Sequence, residues 1–200
     1  MITCKDIVSY LDTNYNFVDT LSTLSDNEKI TCDETAYAFD KIKQQIYGDR
    51  CTSADALYIK KNLNFIEFKT GFASPDETIN DKTKKENLML KIRLKAYETL
   101  HLFQTAIINE ISPNDQLEHH IKTVFCAVID TNEQVVADEA IVDIISDAGG
   151  VRENRSLKVK IVEDNLAMYR KETDKHKKLF YDDTFVLYDY EFDQNIGRFH

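Results

Sequence analysis

The sequence is poor in the residues that mark loops, turns and repeats. It contains two Pro, five Gly and no Trp among 200 residues, which excludes collagen-like and low-complexity architectures. Hydrophobic residues make up 42% of the chain, enough for a packed core, so a disordered chain is also excluded. A chain of this length is expected to form one domain over residues 1–200.

Cysteines and long apolar runs are also scarce. Cys4, Cys32, Cys51 and Cys126 are far apart and form no C-x-x-C pair, so no zinc site is expected. The N-terminus lacks the basic region and apolar run of a secretory signal, and no apolar stretch approaches the ~20 residues needed to cross a bilayer. We therefore expect a soluble, cytoplasmic protein with reduced thiols and no membrane partner.

The charge balance limits the class of partner. The chain has 35 acidic and 25 basic residues, a net charge of -10. A generally basic nucleic-acid coat is thus excluded, because non-specific affinity for DNA comes from neutralised phosphates. A local basic groove is still compatible with the sequence: residues 60–95 hold nine bases and five acids, about +4 overall. Residues 130–147, in contrast, carry acids but no Lys or Arg.

Hydrophobic periodicity predicts an α/β fold. The strongest signals are a helix over residues 33–47 that ends at Gly48, a β-hairpin of ADALYI (54–59) and LNFIEFKT (63–70), a long helix over 84–110, and a central strand TVFCAVI (123–129) that is covered on both faces. In the long helix, Leu88, Ile92, Ala96, Thr99 and Phe103 form one stripe, with Leu90, Leu94 and Tyr97 beside it, which predicts a wide buried face.

The ends of the chain give shorter signals. Residues 3–12 predict a short amphipathic helix. SLKVKIV (156–162) alternates like a strand, NLAMYRKE (165–172) resembles a helix, and FVLYDYEF (185–192) fits a late strand or a strand that passes into a helix.

The most unusual feature of the sequence lies in the second strand of the hairpin. Glu67 and Lys69 are two residues apart and point to the same face as Phe65, while Ile66 and Phe68 cover the other face. If residue 59 pairs with residue 63, Asp55 stands opposite Glu67. Either this register or a shift by two residues brings all three charged groups onto one face, whereas an odd register separates them.

Two carboxylates that face each other need a compensating charge. Their repulsion is about 4 kcal/mol at a separation of about 4 Å and an effective dielectric near 20. A raised pKa, a nearby cation or a divalent metal relieves it. Oxygen ligands suit Mg²⁺ or Mn²⁺, which polarises a phosphoryl oxygen and activates a water. With a lysine to stabilise the transition-state charge, this set of groups can hydrolyse a phosphodiester.

Asp55, eleven intervening residues and then Glu67-x-Lys69, on a hairpin between two helices, resemble the D…(D/E)-x-K signature of the restriction-endonuclease-like superfamily. The resemblance implies an α-β-β-β-α-β core with a mixed sheet flanked by helices. It covers about residues 33–130, and residues 131–200 form a C-terminal extension without an assigned role. It implies a Mg²⁺- or Mn²⁺-dependent nuclease that hydrolyses DNA in preference to RNA, with Asp55 and Glu67 on the metal and Lys69 at the phosphate. One departure is that Ser53-Ala54 precedes Asp55 in place of the proline of the nominal motif.

The resemblance also implies residues outside the hairpin. Members of the superfamily carry an acid on the first core helix, and Glu34 (or Asp33) stands at that place as a further metal ligand. The helix after the motif carries basic residues toward the site, and Lys91, Arg93 and Lys95 are the corresponding candidates for nucleic-acid contact.

Each of these features has a plainer interpretation. The charged hairpin face fits a solvated sheet surface, Glu34 fits an acid favoured by a helix dipole, and the three bases fit a solvated helix face. The alternative function is accordingly a catalytically inactive nuclease-fold protein, a protein-interaction or regulatory module of, for example, a bacterial or phage conflict system. Its partner would be another protein or a second copy in a homodimer.

Overall fold

The computed structural model describes residues 1–69, 82–130 and 157–200. These residues form an α/β fold with a mixed, open sheet of six strands flanked by helices, and the strands lie in the sheet in chain order. The strands are β1 (Val18–Thr20), β2 (Thr35–Ala38), β3 (Ala56–Ile59), β4 (Leu63–Lys69), β5 (Thr123–Ile129) and β6 (Asp183–Tyr188). Apart from its first residue, the acidic segment 130–147 lies outside the described residues.

The helices are named in the same way. They are α1 (Cys4–Asn14), α2 (Leu21–Ser25), α3 (Phe39–Tyr47), α4 (Lys82–Phe103), α5 (Leu157–Asp174) and α6 (Asp189–Asn195). Helix α4 continues through a π-helical turn, Gln104–Ile108, and a last α-helical turn, Asn109–Ile111. Of the described residues, none forms a helix that is both long and apolar enough to cross a membrane.

The sheet is antiparallel on one side and parallel on the other. Strands β1 to β4 pair antiparallel in succession, and β4, β5 and β6 pair parallel. The prediction of a central strand covered on both faces is confirmed for β5. Phe125 and Ala127 belong to the core cluster on one face, and Cys126 and Val128 belong to the cluster on the other face.

The helices divide between these two faces. Side chains of α1, α3, α4 and α5 contribute to the cluster that contains Phe65 and Phe125. Side chains of α2 and α6, with Phe199 near the C-terminus, contribute to the cluster that contains Ile66 and Cys126. The face covered by α4 and α5 is the one that carries the charged residues described below.

The hairpin of β3 and β4 has the predicted register. Ile59 pairs with Leu63 and Ala56 pairs with Ile66, and the Asp55 N–H donates to the Ile66 carbonyl at 3.0 Å. Asp55 therefore stands beside Glu67 at the end of the hairpin remote from its turn. The even register follows from the three-residue connection and from the burial of Ile66 against the opposite core.

The predicted helix over residues 33–47 is wrong in its first part. Residues 35–38 form β2, which pairs with β1 and β3 through backbone hydrogen bonds, and α3 begins only at Phe39. Glu34 therefore precedes a strand and is not on a helix. The predicted end is confirmed, since Gly48 caps α3 with φ +61°.

The C-terminal third differs in one element. SLKVKIV was expected to be a strand, but α5 begins at Leu157. Leu166, Tyr169 and Thr173 are buried at helical spacing further along the same helix, and this period over 18 residues outweighs a short alternating run. The predicted passage from strand to helix is confirmed by β6 and α6.

The buried face of α4 is narrower than predicted. Ile92, Ala96, Thr99 and Phe103 are buried as expected. The neighbouring positions are exposed because α4 packs against only one face of the sheet and one side of α5. They are Leu90, Leu94 and Tyr97.

Candidate functional site

Asp55 lies where three elements of the fold meet. Its carbonyl accepts a hydrogen bond from the Phe39 N–H at the start of α3, at 2.9 Å. Its side-chain Oδ2 accepts from the Phe68 N–H of β4, at 2.6 Å. Backbone and side chain are thus both held, which fixes the direction of the carboxylate.

Glu67 and Lys69 project from β4 on the same face as Phe65. Glu67 is buried, with its side chain only 3% exposed, and the Lys69 ammonium contacts Glu67 Oε1. A buried carboxylate requires a cation or hydrogen-bond donors. Lys69 supplies one of these partners, and the predicted Glu67–Lys69 neighbour pair is present.

A second ammonium reaches the same point from α4. Lys95 Nζ lies 2.6 Å and 2.7 Å from the two carboxylate oxygens of Glu67 and 3.6 Å from Asp55 Oδ1. Two carboxylates and two ammonium groups therefore meet at the end of the hairpin. We call this set, Asp55, Glu67, Lys69 and Lys95, the charge cluster.

Burial and mutual repulsion set the protonation of the cluster. Burial, and after it the charge of Glu67, raises the pKa of Asp55 to about 6 despite the nearby lysines. Burial by itself would lower the pKa of Lys95, but the carboxylates of Glu67 and Asp55 outweigh it and raise that pKa. Lys95 is therefore charged at neutral pH, and Asp55 titrates close to the physiological range.

Helix α4 is anchored to the segment that leads into Asp55. The Ala54 N–H donates to Thr99 Oγ1 at 2.7 Å in a buried position. One residue earlier in the helix, Glu98 accepts from the Thr52 N–H at 2.6 Å. These bonds hold α4 against the start of β3. They place Lys95, one turn before Thr99, next to Asp55 and Glu67.

Helix α5 closes the site from the other side. Tyr169 is fully buried, and its burial, followed by the nearby Glu67 carboxylate, raises its pKa. Glu172, one turn later, accepts from Arg93 Nε at 2.7 Å. The Tyr181 hydroxyl donates to the Ala96 carbonyl at 2.7 Å, so this side of α4 is anchored as well.

Glu34 does not join the charge cluster. It pairs with Lys60 at 2.9 Å, beside the turn of the hairpin, whereas Asp55 lies at the other end of β3. Five residues of strand separate the two ends, roughly 16 Å at the usual rise. The expectation that Glu34 serves as a further metal ligand is corrected: β2 carries it to the opposite end of the hairpin.

The three bases on α4 have three different surroundings. Lys95 belongs to the charge cluster, whereas the sequence predicts it as a residue that contacts nucleic acid. Arg93 is paired with Glu172, and Lys91 is exposed one turn before Lys95. Contact of Lys91 or Arg93 with nucleic acid stays a prediction.

Sequence reasoning missed the placement of Lys95 and the contribution of Tyr169. For Lys95 a signal existed, since it directly precedes buried Ala96 and lies one turn before buried Thr99. No local signal pointed to Tyr169, because its proximity to Glu67 depends on the packing of α5 against the sheet.

The donors of the cluster suit a hard cation. Asp55 and Glu67 offer carboxylate oxygens around one position, and the Lys95 ammonium lies there between them. Two carboxylates with water are a usual ligand set for Mg²⁺. In the part of the chain that the structure describes, no group of three or more His, Cys, Asp or Glu side chains is arranged to hold a metal.

Comparisons of the chain with protein-family models, curated proteins and solved structures found no match. Function is therefore inferred from the charge cluster and its surroundings alone.

Proposed function

We propose that the protein is a metal-dependent nuclease that hydrolyses phosphodiester bonds, in DNA in preference to RNA. The observation that carries the proposal is the convergence of Asp55, Glu67, Lys69 and Lys95 at one end of the hairpin. Two carboxylates that can bind a cation and two ammonium groups that can bind a phosphate are the groups that phosphodiester hydrolysis requires.

Asp55 and Glu67 would hold the metal. When bound, Mg²⁺ or Mn²⁺ polarises a phosphoryl oxygen and lowers the pKa of a water. Both carboxylates are fixed: Asp55 by the Phe68 N–H, and Glu67 by burial within β4. Fixed ligands favour catalysis because no reorganisation is needed when charge develops.

Lys69 and Lys95 would bind the phosphate. Each ammonium now contacts a carboxylate of the cluster, and each is partly exposed, at 27% for Lys69 and 23% for Lys95. A phosphodiester oxygen at this position would accept from both, which stabilises the additional negative charge of the transition state.

Cleavage of labelled DNA in Mg²⁺ or Mn²⁺ by wild type and by Glu67→Gln tests the proposal. We expect the loss of a metal-binding carboxylate to lower the rate at least about 100-fold. Glu34→Gln is the matched control, since Glu34 is also a carboxylate paired with a lysine but lies just before β2, near the other end of the hairpin. Equal cleavage by wild type and Glu67→Gln would refute the assignment.

A second function, a catalytically inactive protein-interaction module, is favoured by two other observations. Lys95 already neutralises Glu67 and approaches Asp55, as a purely structural ion cluster would. In addition, Leu90, Leu94 and Tyr97 form an exposed apolar stripe along α4, and exposed apolar patches often contact other proteins.

Thermal unfolding in a Mg²⁺ or Mn²⁺ titration separates the two functions. A metal that binds the folded state raises the melting temperature with concentration, and Asp55→Ala should abolish the effect. A nuclease requires this response. The absence of any response, together with the absence of cleavage of DNA and RNA, would leave the interaction module as the function.

A further inference from the structure

A groove lies between α5 and the end of β6, beside the charge cluster. It has a volume of about 780 Å³ and is lined by one face of α5 and by two tyrosines. The described residues that line it are Leu166, Ala167, Arg170, Lys171, Asp174, Tyr188 and Tyr190. The α5 residues recur at helical spacing, so they form one continuous wall.

The groove opens at the same end of the sheet as the charge cluster, at the carboxyl ends of the parallel strands. Lys69 pairs with Ile129 of β5, and Ile129 pairs with Tyr188 of β6. In-register residues of parallel strands share a face, so Tyr188 lies on the face of Lys69. Two strand spacings separate them, about 10 Å.

The tyrosines form a stacked pair. The rings of Tyr188 and Tyr190 are 5.4 Å apart between centroids and inclined by only 15°. Tyr188 is partly buried against the core, which holds the pair in place, whereas Tyr190 is 46% exposed. Tyr190 therefore exposes an aromatic surface whose position is fixed by stacking on Tyr188.

The charged groups of the groove favour an anionic ligand. Arg170 and Lys171 are exposed on α5. Among the described residues of the lining, Asp174 is the one acid, and it accepts a hydrogen bond from Thr184 Oγ1 at 3.1 Å. Basic side chains beside an exposed aromatic ring are the combination that binds single-stranded nucleic acid: the bases stack and the phosphates pair.

We infer that this groove binds a single-stranded segment of nucleic acid, with a base on Tyr190 and phosphates at Arg170 and Lys171. The inference rests on the proposed function for its class of ligand and adds that the substrate is single-stranded. In a duplex the bases are stacked on each other and offer no free face to Tyr190. The nucleic-acid strand would pass from the groove to Lys69 along the carboxyl ends of the parallel β-strands.

Binding of a fluorescein-labelled oligothymidylate, measured by anisotropy in EDTA, tests the groove without cleavage. We expect Tyr190→Ala to weaken binding by at least about fivefold, the lower limit for loss of one base–aromatic stack, and Tyr190→Phe to bind like wild type. Tyr97→Ala is the matched control, because Tyr97 is 49% exposed and stacked on His101 but lies outside the groove. Arg170→Ala should reduce the salt dependence of log K by about 0.7, one phosphate contact.

The outcomes separate the groove from the nuclease proposal. The inference about the groove is overturned if wild type does not bind the oligonucleotide or binds a duplex of the same length equally well. It is also overturned if Tyr190→Ala keeps wild-type affinity or loses no more affinity than Tyr97→Ala. If cleavage persists in Mg²⁺ while Tyr190→Ala binds normally, the nuclease stands and the groove fails. If binding needs Tyr190 but no metal supports cleavage, the groove stands and the nuclease fails.

Discussion

Lys95 Nζ is within hydrogen-bonding distance of both carboxylate oxygens of Glu67, at 2.6 Å and 2.7 Å. The ammonium thus occupies the position between Glu67 and Asp55 at which a metal ion would bind. A metal held by these carboxylates, as proposed above, would compete with Lys95 for them, which gives the first prediction.

Lys95→Met should raise the affinity for Mn²⁺ while lowering the stability of the metal-free protein. Removal of the ammonium leaves buried Glu67 with one cation fewer, so we expect the free energy of unfolding to fall by about 1–3 kcal/mol. Urea unfolding measures the loss, and the midpoint of the thermal-shift titration with Mn²⁺ measures the affinity. Lys60→Met, which breaks the exposed pair with Glu34, is the control and should change neither quantity appreciably. A weaker response of Lys95→Met to Mn²⁺ would contradict the competition.

The raised pKa of Asp55 predicts a pH dependence of stability. Because the pKa is about 6 in the folded state and 3.8 ordinarily, the folded state binds a proton between pH 4 and 6 that the unfolded state has released. The contribution of Asp55 to the free energy of unfolding therefore falls as the pH rises through this window and is constant above it. Asp55→Asn removes the titration, so its stability relative to wild type should increase by about 2–3 kcal/mol from pH 4 to pH 7. Urea unfolding at several pH values measures this difference, and a flat difference would show that Asp55 titrates normally.

The hydrogen bond between Thr99 and Ala54 predicts a cost for loss of one hydroxyl. Thr99→Val keeps the shape of the side chain but leaves the buried Ala54 N–H without its acceptor, which should cost about 1–3 kcal/mol. Thr13→Val is the control, since Thr13 Oγ1 bonds the Ser9 carbonyl on an exposed helix face, and should change stability by less than about 0.5 kcal/mol. Denaturant unfolding compares the two variants. Similar small losses would mean that α4 is not anchored by Thr99.

The backbone conformation of Gly48 predicts that a side chain at this position lowers the stability of the protein. A Cβ at this position would meet no atom within 4 Å, but φ is +61°, which residues with a side chain rarely adopt. Gly48→Ala should therefore destabilise the protein by about 1–3 kcal/mol. Gly197, which also has room for a Cβ and has no positive φ, provides the control, and Gly197→Ala should be nearly neutral. Equal melting temperatures of the two variants would contradict the account of the α3 cap.

Local sequence patterns predicted the half of the site that lies on the hairpin. The short connection between β3 and β4 and the two-residue period of β4 determine which residues face each other, so the relation of Asp55 to Glu67 could be derived before the structure. The same reasoning failed for Glu34. The strand β2 is stabilised by pairing with β1 and β3, and such long-range pairing overrides the helical signal of its residues.

The other half of the site depends on packing between distant elements. Helical periodicity places Ala96 and Thr99 on the buried face of α4 but does not indicate that this face meets the start of β3. Lys95 was therefore expected to contact nucleic acid or solvent and not the two carboxylates. For Tyr169 and the groove beside α5, the sequence predicts a helix over residues 165–172 but not how that helix packs against the sheet. Only the arrangement of α5 against β6 brings Arg170 near Tyr190.

The most direct test of the nuclease proposal is the single-turnover rate of Lys69→Met with labelled DNA at saturating Mn²⁺. If Lys69 acts at the phosphate, the variant should keep its Mn²⁺-dependent thermal shift but cleave at least about 100-fold more slowly than wild type. Cleavage by Lys69→Met at the wild-type rate, or no cleavage by wild type under the same conditions, would contradict the assignment of the charge cluster as a catalytic site.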